Sequence, residues 1–348
     1  MALALVAALS VLANGCATHS LMVADPSGGT AVPVEEQEAA PRYRYARETV
    51  PFDNHVVGRG DTKSYSERHL TIPSWGDNGQ SDNLVRARYL RSEIDGSPRP
   101  LVIVMPIYAR FTYPSRKVAK FLQKTSGGQV HVLDVEGKDF LIDWVRLAET
   151  DDEQEFMEIL RKGTERERTT VIDLRRLIDW AEERPEIDAS RVAIIGFSRS
   201  AIVAGIMATQ EPRLAASVLM MGGAHPHEII ARCDGVRTSA VQANVAKRFG
   251  WDQDELERRI RELFADVDPA SYPGRVDPET VLIFEAARDE CIPESARLAL
   301  WETMGRPMTY KIGSEHRQAF IGLTALGGNW LCHRTWEFLQ RRFELGDD

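Results

Sequence analysis

The stretch Arg191-Val-Ala-Ile-Ile-Gly-Phe-Ser-Arg-Ser-Ala-Ile-Val-Ala-Gly205 predicts a buried strand, a tight turn and a helix. Residues 192–195 are apolar and mostly β-branched without alternation, which is typical of a parallel strand covered on both faces. Ser198 stands at the point of the turn, and Gly196 and Ser200 leave little side-chain bulk where strand and helix approach each other. A serine in this position is held in a strained conformation, with its hydroxyl above the sheet and a helix N-terminus behind it.

The turn has the form G-x-S-x-S, whereas the usual nucleophile elbow has the form G-x-S-x-G. Ser200 is small enough to replace the final glycine, whose purpose is close packing of the helix on the strand. An ordinary β-to-α turn of a parallel sheet is the alternative interpretation. The catalytic interpretation therefore depends on partners further along the chain.

A serine hydroxyl needs a base within hydrogen-bond reach, and the base needs an acid that fixes its tautomer. In this type of fold the chain order is serine, acid, histidine. Asp289 follows the predicted strand at 281–284, at the end where catalytic groups gather in open α/β sheets. His316 follows the strand at 308–312 and a glycine turn. We therefore predict Ser198 as nucleophile, His316 as base and Asp289 as acid.

Competing residues have weaker cases. Glu285 is expected within the strand, and Glu290 comes one residue later than Asp289. The remaining histidines lie in the N-terminal segment, before the sheet core, in a strand or in a helix. His225-x-His227 suggests a metal, but no carboxylate or third histidine follows at a compatible spacing, so we expect no metal there.

The oxyanion formed in acyl transfer needs two backbone donors. One is expected to be the N–H of Arg199, directly after the nucleophile, and the other the N–H of Ile107 or Tyr108, after the strand at 101–105. No His-Gly-Gly-Gly motif is present, which disfavours the lipases and esterases that carry it. The alternative interpretation of residues 106–108 is that they only end the strand and supply no oxyanion donor.

Strands and helices alternate over most of the chain, which predicts a mostly parallel twisted sheet with helices on both faces. Two early strands, 64–72 and 84–90, have the partial alternation of antiparallel edge strands. Residues 224–279 form a long insertion between the strands near Met221 and Val281, with an amphipathic helix at 254–264. This insertion is interpreted as a small cap over the site or as a surface connection.

The N-terminus predicts export. Residues 1–13 are almost wholly apolar, and Leu12-Ala13-Asn14-Gly15-Cys16 resembles a bacterial lipobox, although Ala13 and the missing basic residues depart from that pattern. We expect residues 1–16 to be a signal ending in a lipidated Cys16, 17–47 to be a disordered tether and 48–348 to be the catalytic domain. The expected location is the cell envelope, as a periplasmic or outer-membrane lipoprotein. A plain secretory signal and a cytosolic terminus are the alternatives.

From about residue 64 onward the chain resembles the α/β-hydrolase superfamily. The resemblance rests on Gly196-Phe-Ser-Arg-Ser200, on Asp289 before Cys291-Ile-Pro293, and on His316 after Gly313. The segment 268–272, Asp-Pro-Ala-Ser-Tyr, is similar to one in dienelactone-hydrolase-like and prolyl-oligopeptidase-like members. The resemblance implies acyl transfer to water through an acyl-serine, without a metal or organic cofactor.

These observations favour a serine hydrolase, most simply a carboxylesterase acting on a small-molecule acyl substrate. A prolyl-oligopeptidase-like peptidase and an inactive envelope scaffold with this fold are the alternatives. The formal net charge of -9 argues against nucleic acid as a partner. Cys233, Cys291 and Cys332 are expected to be buried free thiols, and a bridge through Cys291 that braces the acid loop is the alternative.

Overall fold

One mixed sheet of ten strands organises the part of the chain that the structure describes. The structure is a computed structural model, and it describes residues 20–22, 38–49, 52–59, 64–75, 84–108, 113–137, 141–324 and 329–346. The strands are β1 (Ser20–Met22), β2 (Asp53–Arg59), β3 (Tyr65–Pro73), β4 (Leu84–Ser92), β5 (Arg99–Val104), β6 (His131–Val135), β7 (Ile187–Phe197), β8 (Leu214–Met220), β9 (Val281–Ala286) and β10 (Met308–Ile312).

The strand order is β1-β10-β9-β8-β7-β5-β6-β4-β3-β2. Strands β5 to β10 pair in parallel, β2, β3 and β4 form an antiparallel meander on one side, and β1 pairs antiparallel with β10 on the other. Because β7 lies in the middle of the parallel part, its carboxyl end stands between the ends of β5 and β8. The predicted mostly parallel sheet is confirmed.

Both faces of the sheet are buried, as the unbroken apolar runs predict. Along β5, Leu101 and Ile103 belong to one core and Val102 and Val104 to another, and all four are fully buried. Since neighbouring side chains of a strand point to opposite faces, the two cores lie on opposite sides of the sheet.

The helices cover both cores. They are α1 (Tyr113–Thr125), α2 (Trp144–Glu149), α3 (Glu153–Glu182), α4 (Arg199–Gln210), α5 (Pro226–Arg232), α6 (Val236–Phe249), α7 (Gln253–Phe264), α8 (Glu294–Thr303), α9 (His316–Thr324) and α10 (Asn329–Arg342). Residues of α3 and α4 contribute to the first core, and residues of α1 and α10 to the second.

The insertion between β8 and β9 holds three α-helices, α5 to α7. Only the last of them, α7, is predicted from the sequence. Helix α7 begins as predicted, because the Asp252 carboxylate accepts a hydrogen bond of 2.8 Å from the Glu255 N–H. The Glu255 carboxylate binds Arg258 and Arg259 and does not return a bond to the Asp252 N–H, so only one of the two bonds of a capping box is formed among the described residues.

The predicted disordered tether over 17–47 is wrong for its last ten residues. Tyr43 is fully buried in a 3₁₀ turn, Pro41–Tyr43, and its hydroxyl donates to the Asp266 carbonyl at 2.6 Å. The Ala40 N–H donates to the Gln210 side chain at 2.8 Å. Residues 20–22 pair with β10 as a strand. Few apolar residues mark this segment, so its docking onto the domain had no strong signal in composition.

The expected signal segment 1–16, with Cys16, lies outside the described residues. Within the described part of the chain, no helix has the length and apolar character needed to cross a membrane.

Candidate active site

Ser198 occupies a sharp turn between β7 and α4. Its backbone has φ 49° and ψ -114°, a conformation that few residues other than glycine adopt. Gly196 is required here, because a Cβ at that position would lie 2.3 Å from the Ser200 carbonyl oxygen. The strand and the helix therefore approach each other as closely as the sequence pattern predicts.

Ser200 contributes more than small size. Its hydroxyl accepts a hydrogen bond of 2.7 Å from the Phe197 N–H and donates one of 3.1 Å to the Phe197 carbonyl. Ser200 is fully buried, so these two bonds satisfy a hydroxyl that would otherwise cost free energy to desolvate. A serine thus replaces the usual glycine by clamping the turn.

The structure brings Ser198, His316 and Asp289 together. The Ser198 Oγ lies 3.0 Å from His316 Nε2, and His316 Nδ1 lies 2.7 Å from Asp289 Oδ2. The three residues come from the ends of β7, β9 and β10, far apart in the chain. This arrangement has the connectivity of a serine–histidine–acid triad.

Asp289 is held rigidly. Its side chain is fully buried, and its Oδ1 accepts hydrogen bonds from the N–H groups of Cys291 and Ile292 at 2.8 and 2.7 Å. Its Oδ2 is left to accept from His316. A carboxylate oriented in this way keeps the proton of the imidazole on Nδ1, so that Nε2 has a free lone pair facing Ser198.

The loops that carry Asp289 and His316 are joined to each other. The Arg288 N–H donates to the Ser314 carbonyl at 3.1 Å, and the Arg288 guanidinium donates to the Gly313 carbonyl at 2.9 Å. Glu290 accepts a hydrogen bond of 2.8 Å from the His316 N–H. From the sequence, Glu290 is only a competing candidate for the acid. In the structure its carboxylate instead holds the backbone of His316 in place.

The other competing residues lie elsewhere. Glu285 lies in β9 and pairs with Arg297 and Lys311. His131 is buried in β6, where its Nδ1 accepts from the Ser92 N–H at 2.9 Å and its Nε2 contacts the Glu186 carbonyl at 2.8 Å. Burial lowers the pKa of His131 to about 4, in keeping with a neutral structural histidine.

The two expected oxyanion donors lie at adjacent strand ends. Arg199 is the first residue of α4, and the first N–H groups of a helix have no partner within it. Tyr108, after β5, has a positive φ of 51°, so the backbone is strained on this side as well. The choice between the N–H of Ile107 and that of Tyr108 stays a prediction.

The side chain of Arg199 anchors the start of α4. Its guanidinium pairs with the carboxylate of Glu167 on α3, which is fully buried. It also lies over the ring of Phe264, at 5.9 Å from the centroid. Because Phe264 ends α7, the insertion contacts the residue next to Ser198, and sequence reasoning had no signal for this pairing.

A disulfide joins the insertion to the acid loop. Cys233 at the end of α5 is bonded to Cys291, two residues after Asp289, and Cys332 remains a buried free thiol. The expectation of three free thiols is therefore wrong. Residues 58 positions apart are brought together by the fold, and spacing alone does not reveal such a pair.

Opening the Cys233–Cys291 bond is expected to lower the free energy of unfolding by about 2–4 kcal/mol, because the unfolded chain regains conformational freedom. Urea unfolding with and without dithiothreitol measures this change. In a Cys233→Ser/Cys291→Ser variant, which keeps Cys332, dithiothreitol should change nothing. Mass spectrometry verifies that the bond has been reduced. If the urea midpoint of the reduced wild type then equals that of the oxidised protein, the prediction is contradicted.

Comparisons with known proteins agree with this architecture. A model of the dienelactone hydrolase family matches residues 119–276, which include Ser198 but neither Asp289 nor His316. The acetyl xylan esterase from Paenibacillus sp. R4 is similar in structure, with a TM-score of 0.59 and 15% identity over 84% of this chain and 89% of that chain. The chain therefore has the α/β-hydrolase fold.

Two further solved structures have a similar fold. Acetyl xylan esterase 1 from Thermoanaerobacterium sp. JW/SL YS485 has a TM-score of 0.56 and 14% identity over 90% of this chain and 96% of that chain. The acylaminoacyl peptidase of Pyrococcus horikoshii has a TM-score of 0.52 and 15% identity over 82% of this chain and 43% of that chain. No curated protein sequence matches the chain significantly.

Proposed function

We propose that this α/β-hydrolase is a serine carboxylesterase that works through an acyl-serine intermediate. The observation that supports the proposal most is the continuous chain of hydrogen bonds from Asp289 through His316 to Ser198, at 2.7 and 3.0 Å. The Asp289 carboxylate is buried and accepts from two backbone N–H groups, which leaves the base in the tautomer that catalysis requires.

In the proposed reaction the Ser198 Oγ attacks the carbonyl carbon of an ester, and His316 Nε2 takes the hydroxyl proton. The protonated imidazole then gives this proton to the leaving alcohol, and the acyl group stays on Ser198. His316 next takes a proton from water as the water attacks the acyl-serine. The imidazolium then gives this proton to the Ser198 Oγ as the carboxylic acid leaves, which restores the free enzyme. Nucleophile, base and oxyanion donors all come from the protein, so the reaction needs no metal or organic cofactor.

The N–H groups of Arg199 and of Ile107 or Tyr108 are proposed to hold the oxyanion. Loss of one such donor typically costs about 2.7–4 kcal/mol of transition-state stabilisation. The Arg199–Glu167 pair supports this role indirectly, since it fixes the first turn of α4 at the point where the N–H is needed.

An ester substrate is favoured over a peptide by the similarity to the dienelactone hydrolase family and to two acetyl xylan esterases. A peptidase is the second enzymatic candidate, because the fold is also similar to that of an acylaminoacyl peptidase. An inactive scaffold with this fold is the third candidate.

Reaction with a fluorophosphonate probe tests the proposal. Ser198 of the wild type is expected to displace fluoride from the probe and to carry one phosphonyl group. Peptide mapping locates this group. Ser198→Ala should stay unlabelled, and Ser239→Ala, which changes an exposed serine of α6, should label like the wild type. A folded wild type that does not react would favour the inactive scaffold.

Matched acyl esters and amides separate the two enzymatic candidates. The esterase proposal expects hydrolysis of a short-chain nitrophenyl ester and no detectable hydrolysis of an aminoacyl nitroanilide. Comparable kcat/KM values for the two substrates would favour the peptidase.

The protein is further proposed to act in the cell envelope, tethered through a lipidated Cys16. Support comes from the apolar segment with its lipobox-like end and from the Cys233–Cys291 disulfide, since such bonds persist in oxidising compartments. Incorporation of a labelled fatty acid into the wild type but not into Cys16→Ser tests the anchor. Equal labelling, or none in either, would contradict it.

A further inference from the structure

His225, His227 and Asp268 meet at the base of the insertion. His225 immediately precedes α5, near the start of the insertion, and Asp268 follows α7, near its end. The spacing of the sequence predicts no metal here, because no carboxylate or third histidine follows His227 at a compatible spacing. The fold supplies a carboxylate, Asp268, from a distant position, so the spacing gives no ground against a metal.

The three side chains form a compact set of donors. One possible ligand atom from each residue lies within 4.8 Å of the corresponding atoms of the other two. His225 Nδ1 is 3.0 Å from Asp268 Oδ2. Zinc binds imidazole nitrogen at about 2.0–2.1 Å, so two ligand atoms of a tetrahedral ion lie about 3.3–3.4 Å apart. Donor atoms that lie within 4.8 Å of one another would have to approach by up to about 1.5 Å to bind one tetrahedral ion.

His227 gives a second, independent indication of a ligand. Its side chain is 5% exposed, and its Nδ1 is buried without a hydrogen-bond partner. An unpaired buried nitrogen is costly, and buried polar atoms of folded proteins nearly always have a partner. A metal ion bound by His225 and Asp268 would supply the partner that His227 lacks.

Asp268 is already oriented as a metal ligand usually is. Its Oδ1 accepts hydrogen bonds of 3.0 Å from the N–H groups of both His225 and Ala270. These bonds fix the carboxylate and leave Oδ2 facing the imidazole. Outer partners that orient the ligands in this way are a general property of metal sites.

The charges around the site largely cancel. Glu228 and Glu257 are near the two imidazoles, and Glu257 pairs with both Arg261 at 2.7 Å and Arg232 at 3.0 Å. The Asp268 carboxylate therefore supplies the negative charge at the site itself. The side chain of His225 is 35% exposed, which gives an ion access from solvent.

We infer that His225, His227 and Asp268 bind a divalent transition-metal ion of the zinc class, with water completing the coordination. Two imidazoles and one carboxylate are a common zinc ligand set. Such an ion would hold the two ends of the insertion together, and no step of the proposed hydrolytic reaction uses it. The inference therefore stands or falls independently of the proposed esterase activity.

Cobalt binding to the full chain, purified without a polyhistidine tag, tests this site. The wild type is expected to bind one equivalent of Co²⁺ with the visible absorption of a four-coordinate ion, and Zn²⁺ should displace it. His227→Gln and Asp268→Asn should each weaken binding by at least the roughly 10–100-fold that loss of an outer-shell partner costs.

Two control variants make the result specific. His69→Gln, an exposed histidine of β3, should bind Co²⁺ like the wild type, and so should His316→Gln, which removes the imidazole beside Ser198. Thermal unfolding of each metal-free variant shows whether it is folded. His227→Gln keeps the test valid if Asp268→Asn does not fold, since it leaves the bonds of Asp268 intact.

A wild type that binds no Co²⁺ would overturn the inference, as would undiminished binding by His227→Gln. The first result would mean that His225 and Asp268 form a hydrogen-bonded pair only, and the second that the ion is bound without His227. Loss of binding in His316→Gln but not in His227→Gln would place the ion at the candidate active site and would also overturn it.

Discussion

Replacing Ser198 by alanine is expected to lower kcat for a nitrophenyl ester by about 10⁶-fold, the loss seen when the nucleophile of a comparable triad is removed. Ser200 is not expected to take over as nucleophile, because it is fully buried and bonded twice to Phe197. The variant should still accelerate hydrolysis by about 10³–10⁴-fold over the uncatalysed reaction in water, through the oxyanion donors and substrate binding. Steady-state kinetics with active-site titration of the wild type measures the change.

Ser239→Ala is the matched control, because it removes one hydroxyl from an exposed position of α6. Its kcat should equal that of the wild type. The free energy of unfolding of Ser198→Ala should fall by no more than about 1 kcal/mol, since among the described residues the Ser198 hydroxyl bonds only to His316, at 3.0 Å. A Ser198→Ala protein that keeps more than a few per cent of wild-type kcat would show that another group is the nucleophile.

The residues of the candidate site were accessible from sequence because each belongs to a local pattern. Gly196 and Ser198 belong to one turn, and their roles follow from steric limits that operate within five residues. Asp289 and His316 follow the ends of β9 and β10 by three and four residues. Parallel strands place their carboxyl ends at one edge of the sheet, so chain order alone predicts that these side chains meet there.

The features that sequence reasoning missed depend on contacts between distant segments. Asp268 lies 43 residues after His225, and Cys291 lies 58 residues after Cys233. Both pairings are set by how the insertion folds back onto the sheet. The hydrophobic periodicity of one stretch of sequence predicts a helix but not how three helices are arranged relative to the sheet. The spacing of cysteines likewise does not determine which of them form a disulfide.

The boundary of the domain was misplaced for a related reason. Residues 38–47 are rich in polar side chains, and their docking rests on one buried aromatic residue and a few specific bonds. Tyr43 is enclosed by the domain, and the Tyr45 hydroxyl donates to Asp179 at 2.5 Å. A prediction of disorder from amino-acid composition depends on the average hydrophobicity of the whole segment. A single buried aromatic side chain hardly changes that average, so the composition does not reveal the docking.

Asp289→Asn is expected to lower kcat by about 10⁴-fold while leaving the protein folded, because the change selects the wrong tautomer of His316. The N–H groups of Cys291 and Ile292 donate to Asp289 Oδ1, so the carbonyl oxygen of an asparagine must take that position. Its NH₂ group then faces His316 Nδ1 and donates to it. The imidazole proton moves to Nε2, which can no longer accept the proton of Ser198.

Glu290→Gln and Glu285→Gln are the matched controls, since each neutralises one of the carboxylates that competed for the role of the acid. A glutamine at 290 can still accept from the His316 N–H, and Glu285 contacts only Arg297 and Lys311 among the described ion pairs, so both variants should lose far less activity. Nitrogen-15 shifts of the imidazole distinguish a proton on Nδ1 from one on Nε2. An Asp289→Asn protein with wild-type kcat, or one that is inactive but keeps the proton on Nδ1, would contradict the assignment of Asp289 as the orienting acid.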